Sequence, residues 1–181
     1  MALIDFPGPG VTLDALLAAK ERRAARQSAW LGRYGLPLLS LTLVTPGPVK
    51  DSLRYRQLMA EALNACGRML ADRGWPVAAW QAFWLPTGPE AFYSVDGEAA
   101  QIKAAAVALE QRHPLGRLWD MDVLSVHGGL IGRKALGQAG RRCLVCHRPA
   151  HVCGRSRRHP LPEVMMKIEA LLEAHLVGDE S

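Results

Sequence analysis

At 181 residues the chain is long enough for one filled core and short for two domains. Although 49% of it is hydrophobic, no uninterrupted apolar run nears the ~20 residues of a membrane-spanning helix. A net charge of +5 favours an acidic or polyphosphate partner, but the few aromatics do not interleave with the basic residues, which argues against a nucleic-acid stacking surface.

The opening, "MALIDFPGPGVTL", has no early Lys or Arg and carries Asp5, Pro7 and Pro9, so a signal peptide is not expected and a cytoplasmic location is. Thr12 is a suitable N-cap for a helix over 12–34, whose apolar face holds Leu13, Leu16, Leu17, Ala24 and Leu31. Lys20, Arg22, Arg23 and Arg26 make its middle strongly basic, either as a solvated face or as a docking surface for an anion. "LPLLSLTLV" reads as a buried strand, and the Pro-Gly-Pro turn after it delivers Lys50 and Asp51 to the strand end. Asp51 or Ser52 caps a second helix, with Tyr55, Leu58, Met59, Ala62, Leu63, Cys66, Met69 and Leu70 at helical spacing. Cys66 on that face reads as core filler. Strands are predicted over 77–85 and 91–95 around the turn-rich "PTGPE", then an Ala-rich helix over 97–111 that Pro114 stops. A fourth strand over 117–126 turns through "HGG" into a short partner, "LIGRKAL". The last helix, over 161–177, has Val164, Met165, Ile168, Leu171 and Leu172 on its apolar face.

From residue 36 to 126 the order is strand, helix, strand, strand, helix, strand. That predicts the α+β class, as a ferredoxin-like split βαββαβ sandwich. Around the α/β core (36–138) are an added N-terminal helix (12–34), a Cys/Arg-rich loop (139–160) and a C-terminal helix (161–177), all in a single domain spanning 1–181.

Two aspartates stand out in "HPLGRLWDMDVLSVHGG". Alternate side chains of a strand share a face, so Trp119, Met121 and Val123 should enter the core while Asp120 and Asp122 project together on the other side. One reading is an acidic, solvated sheet face. The other is a Mg²⁺ ion between the carboxylates, since this hard ion takes one or two carboxylates and fills its remaining sites with water and phosphate oxygens. Gly116 and Arg117 just before the pair, Lys50 at another strand end, and Arg141 and Arg142 downstream supply the cations that a polyphosphate substrate needs.

"RRCLVCHRPAHVCGRSRRH" spaces its ligand candidates as Cys143-x2-Cys146-x6-Cys153-x5-His159. Three thiols and an imidazole suit a closed tetrahedral Zn²⁺ site, with His147 and His151 competing as the fourth ligand. Reduced thiols packed beneath the loop are the alternative. Arg141, Arg142, Arg148, Arg155, Arg157 and Arg158 make this the most basic part of the chain.

"RQSAWL", "PLLSLTLVTPGPVKDS", "HPLGRLWDMDVL" and "RRCLVCHRPAHVCGR" together resemble blocks of the apo-citrate lyase phosphoribosyl-dephospho-CoA transferase family, also called holo-citrate lyase synthases. The likeness runs from about Arg22 to the last helix. It implies a nucleotidyltransferase-type enzyme acting on 2′-(5″-triphosphoribosyl)-3′-dephospho-CoA. The phosphoribosyl-dephospho-CoA group would go to a serine of the acyl carrier subunit of citrate lyase, with release of pyrophosphate. Asp120, Asp122 and Arg117 would then be catalytic, the aspartates holding Mg²⁺, and Lys50, Gly116, Arg141 and Arg142 would bind substrate. Neither nucleic acid nor membrane is an expected partner. One departure is plain: polymerase β-like nucleotidyltransferases carry Gly-Ser about ten residues before their D-x-D, whereas this chain reads "ALEQRHPLGR", with Glu110 the one further acidic candidate. Two readings from other classes compete. One is a zinc-stabilised basic module that binds RNA or an acidic protein; the other is a Mg²⁺-dependent enzyme acting on a nucleoside triphosphate without any carrier.

Overall fold

The computed structural model describes residues 8–127 and 129–178, so the N-terminal reading over residues 1–7 and Gly128 of the "HGG" turn lie outside the described residues. Five antiparallel strands and five α-helices form an α+β architecture among the described residues. The sheet order is β2-β3-β1-β4-β5.

Helix α1 (Leu13–Tyr34) starts where expected, with Thr12 Oγ1 accepting from the Ala15 amide at 3.2 Å, and stops at Gly35, whose φ of 63° only glycine adopts easily. Strand β1 (Leu38–Leu43) occupies the sheet centre, which is why its sequence is nearly all apolar. Ser52, rather than Asp51, caps α2 (Leu53–Asp72); Asp51 instead holds Arg56 through bonds of 2.9 and 2.7 Å. Tyr55, Leu58, Met59, Ala62 and Leu70 bury the inner stripe of α2, and Cys66 sits fully enclosed among them with its thiol pushed up to about 12 by burial. It is core filler.

Strands β2 (Val77–Leu85) and β3 (Gly88–Val95) form a hairpin with only Pro86 and Thr87 in the loop. β3 therefore begins three residues before the expected 91. Gly88 takes a φ of 113°, which allows the tight reversal, and Pro89 lies just past Thr42–Glu90, the last β1–β3 pair at this end, so no ladder bond with β1 is asked of its nitrogen.

Helix α3 (Ala99–Arg112) leads through a 3₁₀ turn, Gly116–Leu118, into β4 (Trp119–Ser125), so the fourth strand begins two residues later than expected. The reversal brings Gly116 hard against α3: a β-carbon there would stand 2.7 Å from the Glu110 carbonyl carbon. Gly116→Ala should consequently cost about 1–3 kcal/mol, the usual penalty of overpacking, read as a lower urea midpoint. An unchanged midpoint would mean that the turn relaxes freely.

The predicted strand in "LIGRKAL" is corrected. β5 comprises only Gly129–Leu130, paired to Ser125 and Leu124, and a 3₁₀ turn over Arg133–Leu136 follows. Lys103, Glu110 and Arg141 already occupy the outer edge of β4 at Trp119 and Met121 and leave no ladder to extend. The segment 139–160, expected as loop, contains the short helix α4 (Ala150–Ser156), and α5 (Leu161–Gly178) closes the described chain.

Leu39 and Leu41 of β1, Ala91, Tyr93 and Val95 of β3, and Trp119, Met121 and Val123 of β4 line one sheet face. They pack on α2, α3 and, through Ile168 and Leu172, α5. The opposite face carries Ser40, Thr42, Glu90, Phe92, Asp120 and Asp122, and α1 lies across part of it. Gln27 bonds Ser40 at 2.9 Å, and Trp30 meets Phe92 edge-on with centroids 5.6 Å apart.

Candidate functional site

Asp120 and Asp122 project from the α1-side face of β4, and their side chains remain 47% and 43% exposed, so both are open to a ligand. Each already meets a cation: Arg141 Nη2 lies 3.1 Å from Asp120, and Lys103 Nζ lies 3.6 Å from Asp122. Burial, then the neighbouring charge of Asp120, raises the Asp122 carboxyl above the usual carboxylate range, with Lys103 and Arg141 opposing. The two carboxylates thus repel each other on one strand face.

These cations come from a polar network that closes the sheet edge. In β4, Trp119, Met121 and Val123 aim backbone groups away from β1. Glu110 of α3 accepts the Met121 amide at 2.8 Å, Lys103 donates to the Met121 carbonyl at 2.7 Å, and Arg141 donates to the Trp119 carbonyl at 2.6 Å. The Ile131 amide takes the Val123 carbonyl. An edge strand left with free peptide groups would invite pairing with another chain, and here charged side chains occupy those groups. Glu110 is the hub, bound by Arg141 at 2.6 Å and by Arg133. Burial pushes its carboxyl up, against the pull of Arg141, the Met121 amide, Arg133 and Lys103. Sequence reasoning missed this hub. Its signal was present: Lys103 and Glu110 stand seven residues apart, two turns on one face of an Ala-rich helix, and both are buried.

Beside this edge lies a cavity of about 1190 Å³ between the end of α3, the 139–160 segment and the start of α5. Five arginines line it: Arg117, Arg133, Arg141, Arg142 and Arg157. Gly116 contributes bare backbone. Arg117 turns its guanidinium onto the carbonyls of Arg142 (3.1 Å) and Cys143, tying the Cys-rich segment to the start of β4. A smaller cleft of about 310 Å³ on the α1 side holds Lys50, Lys20, Arg23 and Asp120. Lys50 donates to the Thr45 carbonyl, and burial followed by repulsion from Lys20 pushes its ammonium pKa down.

The candidates thus divide between two depressions. Gly116, Arg117, Arg141 and Arg142 border the large cavity, Lys50 and Asp120 the small cleft, and Asp122 neither of them. Arg141 joins the two by reaching round the sheet edge to Asp120. On α1, Arg23 (3.1 Å) and Arg26 turn inward onto Glu90, which is 4% exposed, and leave Lys20 and Arg22 as the exposed remainder of the basic run.

Cys143, Cys146, Cys153 and His159 bring their donor atoms within 4.8 Å of one another, an arrangement able to hold a metal ion. The Arg148 amide, then the His159 ring, pull the Cys146 thiol down to about 6. His147 and His151 are exposed and stand outside this group.

A family model described as apo-citrate lyase phosphoribosyl-dephospho-CoA transferase matches residues 11–175. Relatives carrying that name in Escherichia coli O7:K1, Escherichia coli O6:K15:H31 and Citrobacter koseri are each 40% identical over 162 residues, spanning 90% of this chain and 88% of theirs. The chain is therefore a transferase. It belongs to the apo-citrate lyase phosphoribosyl-dephospho-CoA transferase family.

Proposed function

We propose that this chain moves the phosphoribosyl-dephospho-CoA group of 2′-(5″-triphosphoribosyl)-3′-dephospho-CoA onto a serine of the citrate lyase acyl carrier subunit. The serine oxygen forms a bond to the phosphorus nearest the ribose as the bond from that phosphorus to the departing pyrophosphate breaks. The serine proton is lost to a base. The observation that carries this reading is the 1190 Å³ cavity with five arginines, large enough for a nucleotide-sized ligand and charged to hold its phosphates.

Arg141 is central to the proposed chemistry. Glu110 and the Trp119 carbonyl fix its guanidinium, so it meets a phosphate in place, without reorganisation during the reaction. Arg142 and Lys50 neutralise the departing pyrophosphate from either side of that edge. Arg117 holds the cavity wall through two backbone carbonyls and offers its remaining donors to the substrate. Gly116 offers backbone to the substrate at the cavity wall, while its missing β-carbon makes room for α3. Mg²⁺, when bound at Asp120 and Asp122, would supply charge neutralisation on the triphosphate.

The strand order β2-β3-β1-β4 with helix crossovers supports the ferredoxin-like assignment, and the shared core supports a single domain. No described helix is long and apolar enough to cross a membrane, and a cytoplasmic location accords with acting on a metabolic enzyme. Because Arg23 and Arg26 are committed to Glu90, an acidic carrier is better met by the exposed Arg148, Arg155 and Arg158 near the cavity.

The test is a mass spectrum of the apo carrier subunit after incubation with the chain, Mg²⁺ and the triphosphoribosyl precursor. A mass gain equal to the phosphoribosyl-dephospho-CoA group, with pyrophosphate released, is expected. An unmodified carrier, together with salt-dependent RNA binding, would replace this reading with that of a basic binding module.

A further inference from the structure

We infer that Cys143, Cys146, Cys153 and His159 form a closed structural zinc site that fixes the arginine-bearing wall of the large cavity. The inference does not depend on which substrate fills that cavity.

The geometry comes first. A tetrahedron with Zn–S near 2.3 Å and Zn–N near 2.0–2.1 Å has ligand–ligand edges of roughly 3.5–3.8 Å. Cys146 Sγ lies 3.5 Å from Cys153 Sγ and 3.3 Å from His159 Nε2, and all four donor atoms fall within 4.8 Å of one another. The sulfur separation is far from the ~2.05 Å of a disulfide. It suits two thiolates sharing an ion.

Local backbone structure delivers these donors. The Cys143 amide bonds the Arg148 carbonyl at 2.7 Å and folds the C-x2-C stretch into a knuckle, while the Ala150 amide bonds the Arg141 carbonyl at 2.8 Å. Helix α4 raises Cys153 from the far side. At its end Arg157 adopts a φ of 46°, a left-handed conformation uncommon for a residue with a β-carbon, and the chain turns back to present His159. Cys143 and Cys153 are only 7% and 6% exposed.

The histidine has the support that a zinc ligand usually has. His159 Nδ1 lies 3.2 Å from Glu163 Oε2, in the first turn of α5, so a carboxylate orients the ring while Nε2 faces the sulfurs. Four protein donors leave no open coordination position, which makes the site structural rather than catalytic. Arg142 adjoins Cys143, Arg157 lies between Cys153 and His159, and Arg117 grips the Cys143 carbonyl. Fixing this backbone fixes where Arg142 and Arg157 begin and where Arg117 is anchored.

The experiment is elemental analysis of the full chain purified without added metal, followed by Co²⁺ exchange and by titration with a chromophoric chelator. Near-stoichiometric zinc is expected, together with the intense visible absorption of tetrahedral, thiolate-rich Co²⁺. Glu163→Gln should weaken zinc binding about 10–100-fold while the protein stays folded, a readout that survives if Cys146→Ser fails to fold. The double variant His147→Ala/His151→Ala should keep its zinc. Folded wild-type chain with reduced thiols, little zinc and no such Co²⁺ spectrum would overturn the assignment. So would a Cys146–Cys153 disulfide in protein prepared under reducing conditions, or loss of zinc in the His147/His151 variant.

Discussion

Asp120→Asn and Asp122→Asn are each expected to reduce carrier modification on the order of a thousandfold, about 4 kcal/mol of barrier, with the fold retained. Their side chains are about half exposed on one face of β4, so an isosteric amide creates neither a cavity nor a clash. What is lost is negative charge at the point where a divalent cation would meet the triphosphate. The raised Asp122 carboxyl adds a pH signature. A protonated Asp122 cannot hold a cation, so affinity for the cation should begin to fall as pH drops through the pKa of the metal-free protein, at a higher pH than for an ordinary aspartate. Asp120 is one of the groups raising that pKa, so Asp120→Asn should move the Asp122 titration, followed by NMR, to lower pH. A folded double variant that turns over near the wild-type rate would remove both aspartates from the mechanism.

The positions of these aspartates were legible in the sequence because strand alternation allows only two faces, and apolar Trp119, Met121 and Val123 had to take the inner one. Helix starts were legible where capping chemistry was explicit, at Thr12 and, with Asp51 as the alternative, at Ser52. Other features depend on contacts between distant segments. "LIGRKAL" has the composition of a strand, but its would-be partner edge belongs to Glu110, Lys103 and Arg141, residues from two other segments. Helix α4 has seven residues, too few to show a period, and Cys153 is its one buried residue. The basic run on α1 looked uniform along the chain. Glu90, reached across the sheet, singles out Arg23 and Arg26 from Lys20 and Arg22.

Glu110→Ala is expected to lower stability by about 3–5 kcal/mol, the range seen when one partner of a buried ion pair is removed. Three losses combine. The buried Met121 amide loses its acceptor, Arg133 keeps a largely buried charge without a counter-ion, and Arg141 loses one of the three groups that aim it. For a chain of this length the melting temperature should fall on the order of 10 °C. Glu110→Gln separates these effects. Its amide oxygen can still accept the Met121 N–H but cannot balance two guanidinium groups, so its loss of stability should be intermediate. Its kinetic defect should appear as a raised KM for the triphosphoribosyl precursor, because Arg141 is held less firmly at the cavity edge. Thermal and urea unfolding of both variants, paired with kinetics on Glu110→Gln, measures this. An alanine variant within about 0.5 kcal/mol of wild type, the scatter of neutral surface substitutions, would show that the sheet edge closes without Glu110.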